Sequence, residues 1–370
     1  MALFLSLSTP NAKSLPFSPQ IYPLRRQTQT GILLRNYSSI CRGQNPFTYY
    51  RNGEIQHTLS RKLSPIVRAA ETPAGSDDNG EDMTSPPLPA RMLKFLDVGP
   101  GSPAGAVLLA STHLLCLFAP FCFTWDAAGV ALGLAVVTAL GVTLSYHRNL
   151  CHRSFKIPKW LEYLFAYCGV HALQGDPIGW VSTHRQHHQH CDSEKDPHSP
   201  IQGFWYSHLG WMLDFNSTNE RGEMPTNVGD LESQFFYKFI QRTYIIHPIL
   251  LATLLYVTGG FPYVVWGMGV RAVLTYQITF LVNSACHLWG TQAWNTGDLS
   301  RNNWLVAMLS FGEGWHNNHH TFEYSARHGL EWWQLDITWY VVRALQAFGL
   351  ATDVKLPTDA QKKKMALTTT

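Results

Sequence analysis

Ala127-Ala-Gly-Val-Ala-Leu-Gly-Leu-Ala-Val-Val-Thr-Ala-Leu-Gly-Val-Thr-Leu-Ser-Tyr146 runs without a charge straight into His147-Arg-Asn-Leu-Cys-His152. At ~1.5 Å of rise per residue, such a stretch spans one bilayer core as a helix. A membrane-spanning helix therefore ends in two histidines five positions apart. Two more clusters follow, His184-Arg-Gln-His187-His188 and His316-Asn-Asn-His319-His320. Imidazole is the commonest metal ligand and suits iron, zinc, copper or nickel. Eight imidazoles exceed the four positions of a tetrahedral zinc and point to two ions.

Three further apolar stretches extend this reading. Ala104–Phe123 precedes the quoted span, separated from it by a short turn around Trp125-Asp126. Ile245–Val257 and Tyr263–Val282 form a second pair, turned by Gly259-Gly260-Phe261-Pro262. The expected fold is all-α and membrane-integral: four transmembrane helices in two hairpins, with a histidine-rich helical cap on one side. With four crossings, all three clusters and both termini share that side. Neither opposite-side turn contains Lys or Arg, which agrees with the positive-inside tendency. Arg271, mid-span, has to face protein, a cavity or a headgroup, as a structural ion pair or a substrate contact. Lys159–Gln174 carries Glu162 and His171 and reads as an interfacial helix rather than a fifth span.

The rest of the chain bounds the class. Only 14% of the residues are charged and 13% are aromatic. The mean hydropathy of -0.09 averages apolar spans with a polar N-terminal third. The formal net charge of +3 is mostly an N-terminal excess and gives no nucleic-acid signal. Seven cysteines lack paired spacing, and Cys116, Cys122, Cys168 and Cys286 read as small buried hydrophobes. Residues 1–70 hold one acid, Glu54, against nine Lys/Arg and thirteen Ser/Thr. That composition is a transit peptide, plastid rather than mitochondrial, with processing near Val67-Arg68-Ala69-Ala70. Residues 71–91, acidic and Pro-rich, read as a linker. A membrane domain over 92–350 and a tail over 351–370 complete the division.

Spacing nominates the ligands. Positions i, i+3 and i+4 share a helix face, so His184, His187 and His188 can converge, as can His316, His319 and His320. His147 and His152 lie about 140° apart on an α-helix, which assigns them to two different ions. His287 follows the fourth span at the depth where His147 follows the second, and is a ninth ligand. Asn283, one turn earlier, can hold a metal-bound water. His171, His190, His198, His208, His247 and His328 lack such arguments and are read as structural or supporting. The constellation is nearly free of carboxylates, unlike soluble di-iron bundles with Glu-x-x-His, and structural zinc would prefer cysteine-rich tetrahedra. Neutral imidazoles around two redox metals at a membrane face suit oxygen activation and cleavage of an unactivated C–H bond.

At these residues the chain resembles the membrane fatty-acid desaturases of the stearoyl-CoA type, within them the plant delta-9-like group. The boxes HxxxxH, HxxHH and HxxHH occur in order. Trp180-Val-Ser-Thr-His184, Asp196-Pro-His198-Ser, Asn283-Ser-Ala-Cys-His287 and Gly312-Glu-Gly-Trp-His316 match its flanks, over about 92–350. The resemblance implies a mushroom shape, with four membrane helices under a cap holding two irons and a bent acyl tunnel. It implies one iron on His147, His184, His187 and His319, with Asn283 through water. It implies a second on His152, His188, His287, His316 and His320. Gly179 is one departure, standing where relatives often carry an acidic residue.

The implied activity is O2-dependent removal of two hydrogens from a saturated acyl chain, giving a cis double bond. Palmitoyl on a plastid galactolipid, at delta-7, is the expected substrate. A delta-9 desaturase of acyl-CoA or another lipid is the same-class alternative, hydroxylation a different outcome of the same chemistry, and a membrane metal carrier or sensor a remote one. Carriers place ligands within the spans, whereas these lie beyond the span ends. No fused His-Pro-Gly-Gly haem module is present, so electrons come from a separate donor on the histidine side. Ferredoxin is that donor if the chain is plastidic, cytochrome b5 if it is not.

Overall fold

A computed structural model describes residues 98–215 and 227–367. The N-terminal segment read as a transit peptide and linker lies outside the described residues. The described residues are helical, with isolated bridges and no strand.

Helix α1 is Pro103–Cys116, opened by Ser102, whose hydroxyl accepts from Gly105 N. Helix α2, Trp125–Leu140, is opened in the same way by Thr124 and continues without a break as a π-helix over Gly141–Cys151. Helix α3 is Lys159–Val170 and α4 is Pro177–His190. After the described residues resume, α5 is Phe235–Thr243, α6 is Ile246–Val264 and α7 is Arg271–Leu288, the last two joined by a π-helical turn over Val265–Val270. Short helices α8 (Trp304–Leu309), α9 (His316–Thr321), α10 (Ile337–Ala347) and α11 (Asp359–Met365) follow.

Three helical stretches among the described residues are long and apolar enough to cross a membrane: Pro103–Phe121, Trp125–Cys151 and Ile246–Leu288. The last has 43 residues. A straight helix of that length would run about 65 Å, twice a hydrocarbon core of ~30 Å. It is broken at Gly260, whose φ of 68° and ψ of -161° are not helical. Glycine alone adopts that conformation without strain, and Pro262 starts the next turn. The turn read from Gly259-Gly260-Phe261-Pro262 thus falls where the helix breaks. The chain on either side lies close together: a Cβ on Gly267 would meet Leu255 Cδ1 at 2.7 Å.

Leu109 of α1, Leu255 of α6 and Met268, Ala272, Tyr276 and Phe280 around α7 form one core with Leu173, Trp211 and Met212. A second core joins Tyr146 and Leu150 to Ala166, Ile178, Val181 and Tyr237. It fixes the π-helix against α3, α4 and α5. Helix α3, at 12 residues, is too short to cross. Its buried Glu162 accepts from Tyr237 Oη at 2.8 Å and pairs with Lys159 Nζ at 2.8 Å.

Arg271 faces protein, as expected; of the two roles read for it, the ion pair is not found among the described residues. It is buried, and its guanidinium donates to the carbonyls of Gly267 (2.5 Å) and His171 (2.6 Å) and to Thr138 Oγ1 (3.3 Å). His171 caps the C-terminus of α3. The cation therefore meets the negative end of a helix dipole instead of a carboxylate.

Candidate metal centre

All nine histidines named from the sequence come together, on four elements. The π-helix supplies His147 and His152, α4 supplies His184, His187 and His188, α7 supplies His287, and α9 supplies His316, His319 and His320. Ligand nitrogens of His147, His152, His184, His188 and His319 all lie within 4.8 Å of one another, and those of His187, His287, His316 and His320 form a second such group.

This grouping differs from the partition implied by resemblance, which put His187 with His147 and placed His152 and His188 with His287. The physical reason is the π-helix. His152 N donates to His147 O at 3.1 Å, an i→i+5 bond. In that winding a residue five positions along lies roughly one turn on, near the same face. The α-helical angle of about 140° does not apply, and both rings, 4.9 Å apart, serve one position. In α4 the i,i+4 pair His184/His188 joins the five-membered group, while His187 reaches the other. In α9 the i,i+4 pair His316/His320 joins the four-membered group, while His319 crosses to the first. Each HxxHH helix thus gives a pair to one position and a single ligand to its neighbour.

The Nε2 atoms converge. His147 and His319 approach to 3.0 Å, His319 and His188 to 2.9 Å, His188 and His184 to 3.1 Å, and His184 and His152 to 3.1 Å. In the second group His287 and His316 stand 3.0 Å apart, and His316 and His320 3.1 Å. Two ligands at right angles on a metal with M–N of ~2.1 Å stand roughly 3.0 Å apart. Hydrogen bonding alone does not account for these contacts. His188 Nε2 stands 3.1 Å from His184 Nε2 and 2.9 Å from His319 Nε2, and a ring nitrogen with one proton or one in-plane lone pair cannot serve two neighbours at once. The donor set fits two metal ions.

Behind the imidazoles stand carboxylates. His187 Nδ1 donates to Asp196 Oδ1 at 3.0 Å and His320 Nδ1 to Asp298 Oδ2 at 3.0 Å. His147 Nδ1 lies 2.5 Å from Glu313 Oε2, and His287 Nδ1 lies 3.0 Å from Asp192 Oδ1. Such partners fix tautomer and ring orientation and raise ligand basicity. The sequence reading of a nearly carboxylate-free site holds only for the inner ring. Glu313, Glu323, Asp192, Asp196 and Asp298 were missed as functional residues, although Asp196 and Glu313 lie in the motif flanks.

Charges are balanced further out. Burial alone would raise the Glu313 carboxyl, but Arg148 and the imidazoles of His147 and His328 hold it well below the usual carboxylate value. Arg148, fully buried, reaches Glu313 Oε1 through Nε (3.2 Å) and Nη2 (2.9 Å), and also Asp336 and the Ala326 carbonyl. Burial, then the neighbouring imidazoles, push His152, His184, His316, His319 and His320 well below the ordinary imidazole value. They are neutral at pH 7, as ligation requires.

Local sequence explains how short elements hold such a site. Asp176 caps α4 by accepting from Ile178 N and Gly179 N, with Pro177 in the first turn. A side chain at Gly179 would begin 3.2 Å from Asp176 Oδ2, so an acid there would face this carboxylate. In the six-residue α9, the two asparagines between the histidines are the anchors. Asn317 Oδ1 accepts from Ala293 N (2.8 Å) and Trp294 N (2.9 Å). Asn318 Oδ1 accepts from Trp294 Nε1 (2.7 Å), and its Nδ2 donates to His328 O (2.8 Å) and Gln334 Oε1 (2.9 Å). Toward α7, Trp180 stacks on His184 at 5.0 Å and donates to Gln174, which donates to Thr279.

His328 is buried, 3.2 Å from Glu313, with its ring 4.5 Å from that of His319. His198 packs 4.3 Å from the His187 ring, and His208 bonds Ser284 and Gln277. Asn283 lies one turn before His287 on α7, half-buried.

Comparison with known proteins adds an independent line. The fatty acid desaturase family model matches residues 123–355. A chloroplastic palmitoyl-monogalactosyldiacylglycerol delta-7 desaturase of Arabidopsis thaliana is 67% identical over 279 residues, 75% of this chain and 74% of that protein. A probable chloroplastic lipid desaturase of the same plant is 59% identical over 98% of this chain and 99% of its own length. A delta-9 acyl-lipid desaturase, also from Arabidopsis thaliana, is 58% identical over 69% of this chain and 84% of that protein.

Proposed function

The chain belongs to the fatty acid desaturase family, and from that premise we propose that it is a plastid di-iron enzyme inserting a cis double bond at delta-7 of palmitoyl on monogalactosyldiacylglycerol. The observation that carries the chemistry is the pair of converging imidazole groups, five and four strong. The observation that favours this substrate is the 67% identity to the delta-7 enzyme. The delta-9 alternative rests on the 58% relative.

His147, His152, His184, His188 and His319 would hold one iron. His187, His287, His316 and His320, with Asn283 through a water, would hold the other. When bound, two irons supply the one-electron steps that let O2 oxidise an unactivated C–H pair. The chain's own residues keep the imidazoles neutral and aimed: Asp196 and Asp298 accept from Nδ1 of His187 and His320, and Glu313, Asp192 and Glu323 stand beside the Nδ1 atoms of His147, His287 and His188. Overall, O2 takes four electrons and four protons to become two waters. Two of each come from the acyl chain. Two electrons come from a donor protein and two protons from solvent.

Four spans in two hairpins fit this reading. Ile246–Leu288, folded at Gly260, has the length of two crossings, and that topology keeps every histidine on one side, the stromal one. Residues 1–70 would be the transit peptide, 71–91 a linker, 92–350 the desaturase domain and 351–370 a tail. Similarity to a relative named chloroplastic extends over 98% of the chain, so it includes the N-terminal region. Ferredoxin is then the electron donor, with cytochrome b5 the donor if the chain resides elsewhere.

Expression in a plastid-competent host lacking this activity, with double-bond position and lipid class determined together by mass spectrometry, tests the proposal. A delta-7 16:1 chain on monogalactosyldiacylglycerol is expected. A delta-9 product, or unsaturation confined to acyl-CoA, overturns the substrate. Purified protein with fewer than about two irons overturns the cofactor.

A further inference from the structure

The two metal positions are not equally enclosed. In the four-histidine group His187, His287, His316 and His320 are all buried, whereas in the five-histidine group His152, His184 and His188 are each partly exposed. The five-histidine group is reached from the surface by a pocket of about 440 Å³ lined by Cys151, His152, Arg185, His188, Gln189 and Glu323. Two ligands of one position, and none of the other, stand in the pocket wall.

We infer that this pocket is the passage by which a divalent metal ion reaches and leaves the five-histidine position, with Glu323 the first protein ligand it meets. This rests on the di-iron reading above. A buried metal site requires an access path and ligands in their deprotonated form. Six waters at ~30 Å³ each take up roughly 200 Å³, so a hydrated ion fits the pocket. Glu323, its side chain 49% exposed, touches His188 Nδ1 at 3.2 Å, so one carboxylate faces both the water and a ligand ring. Hard hydrated cations prefer oxygen donors, and the transfer from Glu323 to the imidazoles follows the ligand preferences of a first-row ion. The rim does not repel cations. Arg185 meets Asp230 at 2.9 and 3.0 Å, Arg153 pairs with the same carboxylate, and Glu323 supplies the second negative charge that balances the two guanidinium groups. Arg185 also donates to the carbonyls of Leu150 (2.8 Å) and Cys151 (3.4 Å). It clasps the end of the π-helix and keeps the pocket in shape.

Among the described residues, no ligand of the four-histidine position lines this pocket, and its metal should leave more slowly. Release to a ferrous chelator should therefore be biphasic, one equivalent fast and one slow.

The test uses the full chain in detergent or nanodiscs, loaded with ferrous iron. Chelator-driven release and re-uptake of ferrous ion are followed by absorbance, with total metal measured separately. Exposed Gln189 is replaced by Trp to plug the pocket. Q189W should slow fast release and fast uptake by the same factor and leave the final metal content at two. Glu323→Gln should slow uptake at low iron by roughly tenfold, the scale of a lost outer partner. His287→Ala should keep the fast phase, which assigns it to the five-histidine position. Single-phase release of both equivalents, or a fast phase untouched by Q189W, overturns the passage while leaving the di-iron reading intact. A Q189W protein with unchanged metal kinetics but slowed reduction by an electron-donor protein also overturns it, and assigns the pocket to the donor. If Q189W fails to fold, Gln189→Arg serves, blocking by bulk and charge. Wild-type protein that binds no transition metal sinks the di-iron reading itself.

Discussion

Replacing Glu313 with Gln should remove metal from the five-histidine position with almost no change of shape. Glu313 Oε2 serves two rings, 2.5 Å from His147 Nδ1 and 3.2 Å from His328 Nδ1, while Oε1 accepts two bonds from Arg148. A carboxylate accepts on all sides; an amide does not. If the new oxygen keeps Arg148, the NH2 group points at His147 Nδ1. The ring must then turn its lone pair to the amide and its Nε2–H to the metal, which forbids ligation. If the amide flips, its NH2 meets the guanidinium donors instead. Loss of an outer carboxylate costs ~10–100-fold in metal affinity, about 1.4–2.8 kcal/mol. Arg148 keeps Asp336 at 3.0 Å and the Ala326 carbonyl at 2.8 Å. The metal-free chain should therefore lose about 1.5–3 kcal/mol, the worth of one charge-assisted bond, rather than the ~3–5 of a stripped buried charge. Metal content after dialysis against a buffered chelator, read beside the melting temperature of the metal-free protein, separates the two effects. His328→Phe is the control, because it spares the His147 contact and should keep its metal. Glu313→Gln with two tightly held metals and an unshifted melt would refute the reasoning.

Three further outcomes follow from the same geometry. His187→Ala should lose the same metal as His287→Ala, and His188→Ala the same as His152→Ala; paired iron titrations and Mössbauer spectra check this, and His187→Ala grouping with His147→Ala would restore the partition implied by resemblance. Gly141→Ala should destabilise the cap by about 1–3 kcal/mol or more, because its Cβ would stand 2.6 Å from the Cys168 and Gly169 backbone; a wild-type melting temperature would contradict that packing. Lowering the pH below about 6.5 should destabilise the metal-free chain, since the unfolded imidazoles take up protons there while His184, His316, His319 and His320, held well below 6.5 by burial and by each other, do not; each such group contributes up to ~1.4 kcal/mol per pH unit, and a melting temperature flat from pH 7 to 5 would argue against burial.

The inner ring was legible because metal ligands are local in sequence. Two HxxHH boxes on helices and one box after a span leave little freedom, and His287 followed from the direction in which α7 returns. The outer ring was not legible. Asp192, Asp298 and Glu323 reach their imidazoles from turns whose course no periodicity encodes, and Asp298 meets His320 only because Trp294 and Asn317 hold that loop against α9. Arg271 was recognised as needing company, but a helix C-terminus as its partner depends on where α3 ends, at His171. The apolar stretches read as spans fall largely within three helical segments long and apolar enough to cross a membrane among the described residues. The turn expected at Gly259-Gly260-Phe261-Pro262 coincides with the break at Gly260, where one residue's backbone leaves the helical region.

The grouping of the ligand nitrogens departs from the partition implied by resemblance for one traceable reason, a change of helical winding. Gly141 opens the π-helical segment, and its missing side chain lets the start of that segment press on Cys168 and Gly169 of α3. With i→i+5 winding, His147 and His152 rise on one face toward α4 and α9, and Arg148 turns inward to Glu313 and Asp336. On an α-helix the same five-residue spacing would point one histidine away from its metal. The HxxxxH spacing and the π-helix therefore require each other, as do the HxxHH spacing and the α-helices that bear it. On the proposed di-iron reading, two metals would share the nine imidazoles because α4 and α9 divide theirs in opposite senses, two and one against one and two. Loss of the single crossing ligand, His187 or His319, consequently disturbs one position through a helix whose other two ligands belong to the neighbouring metal.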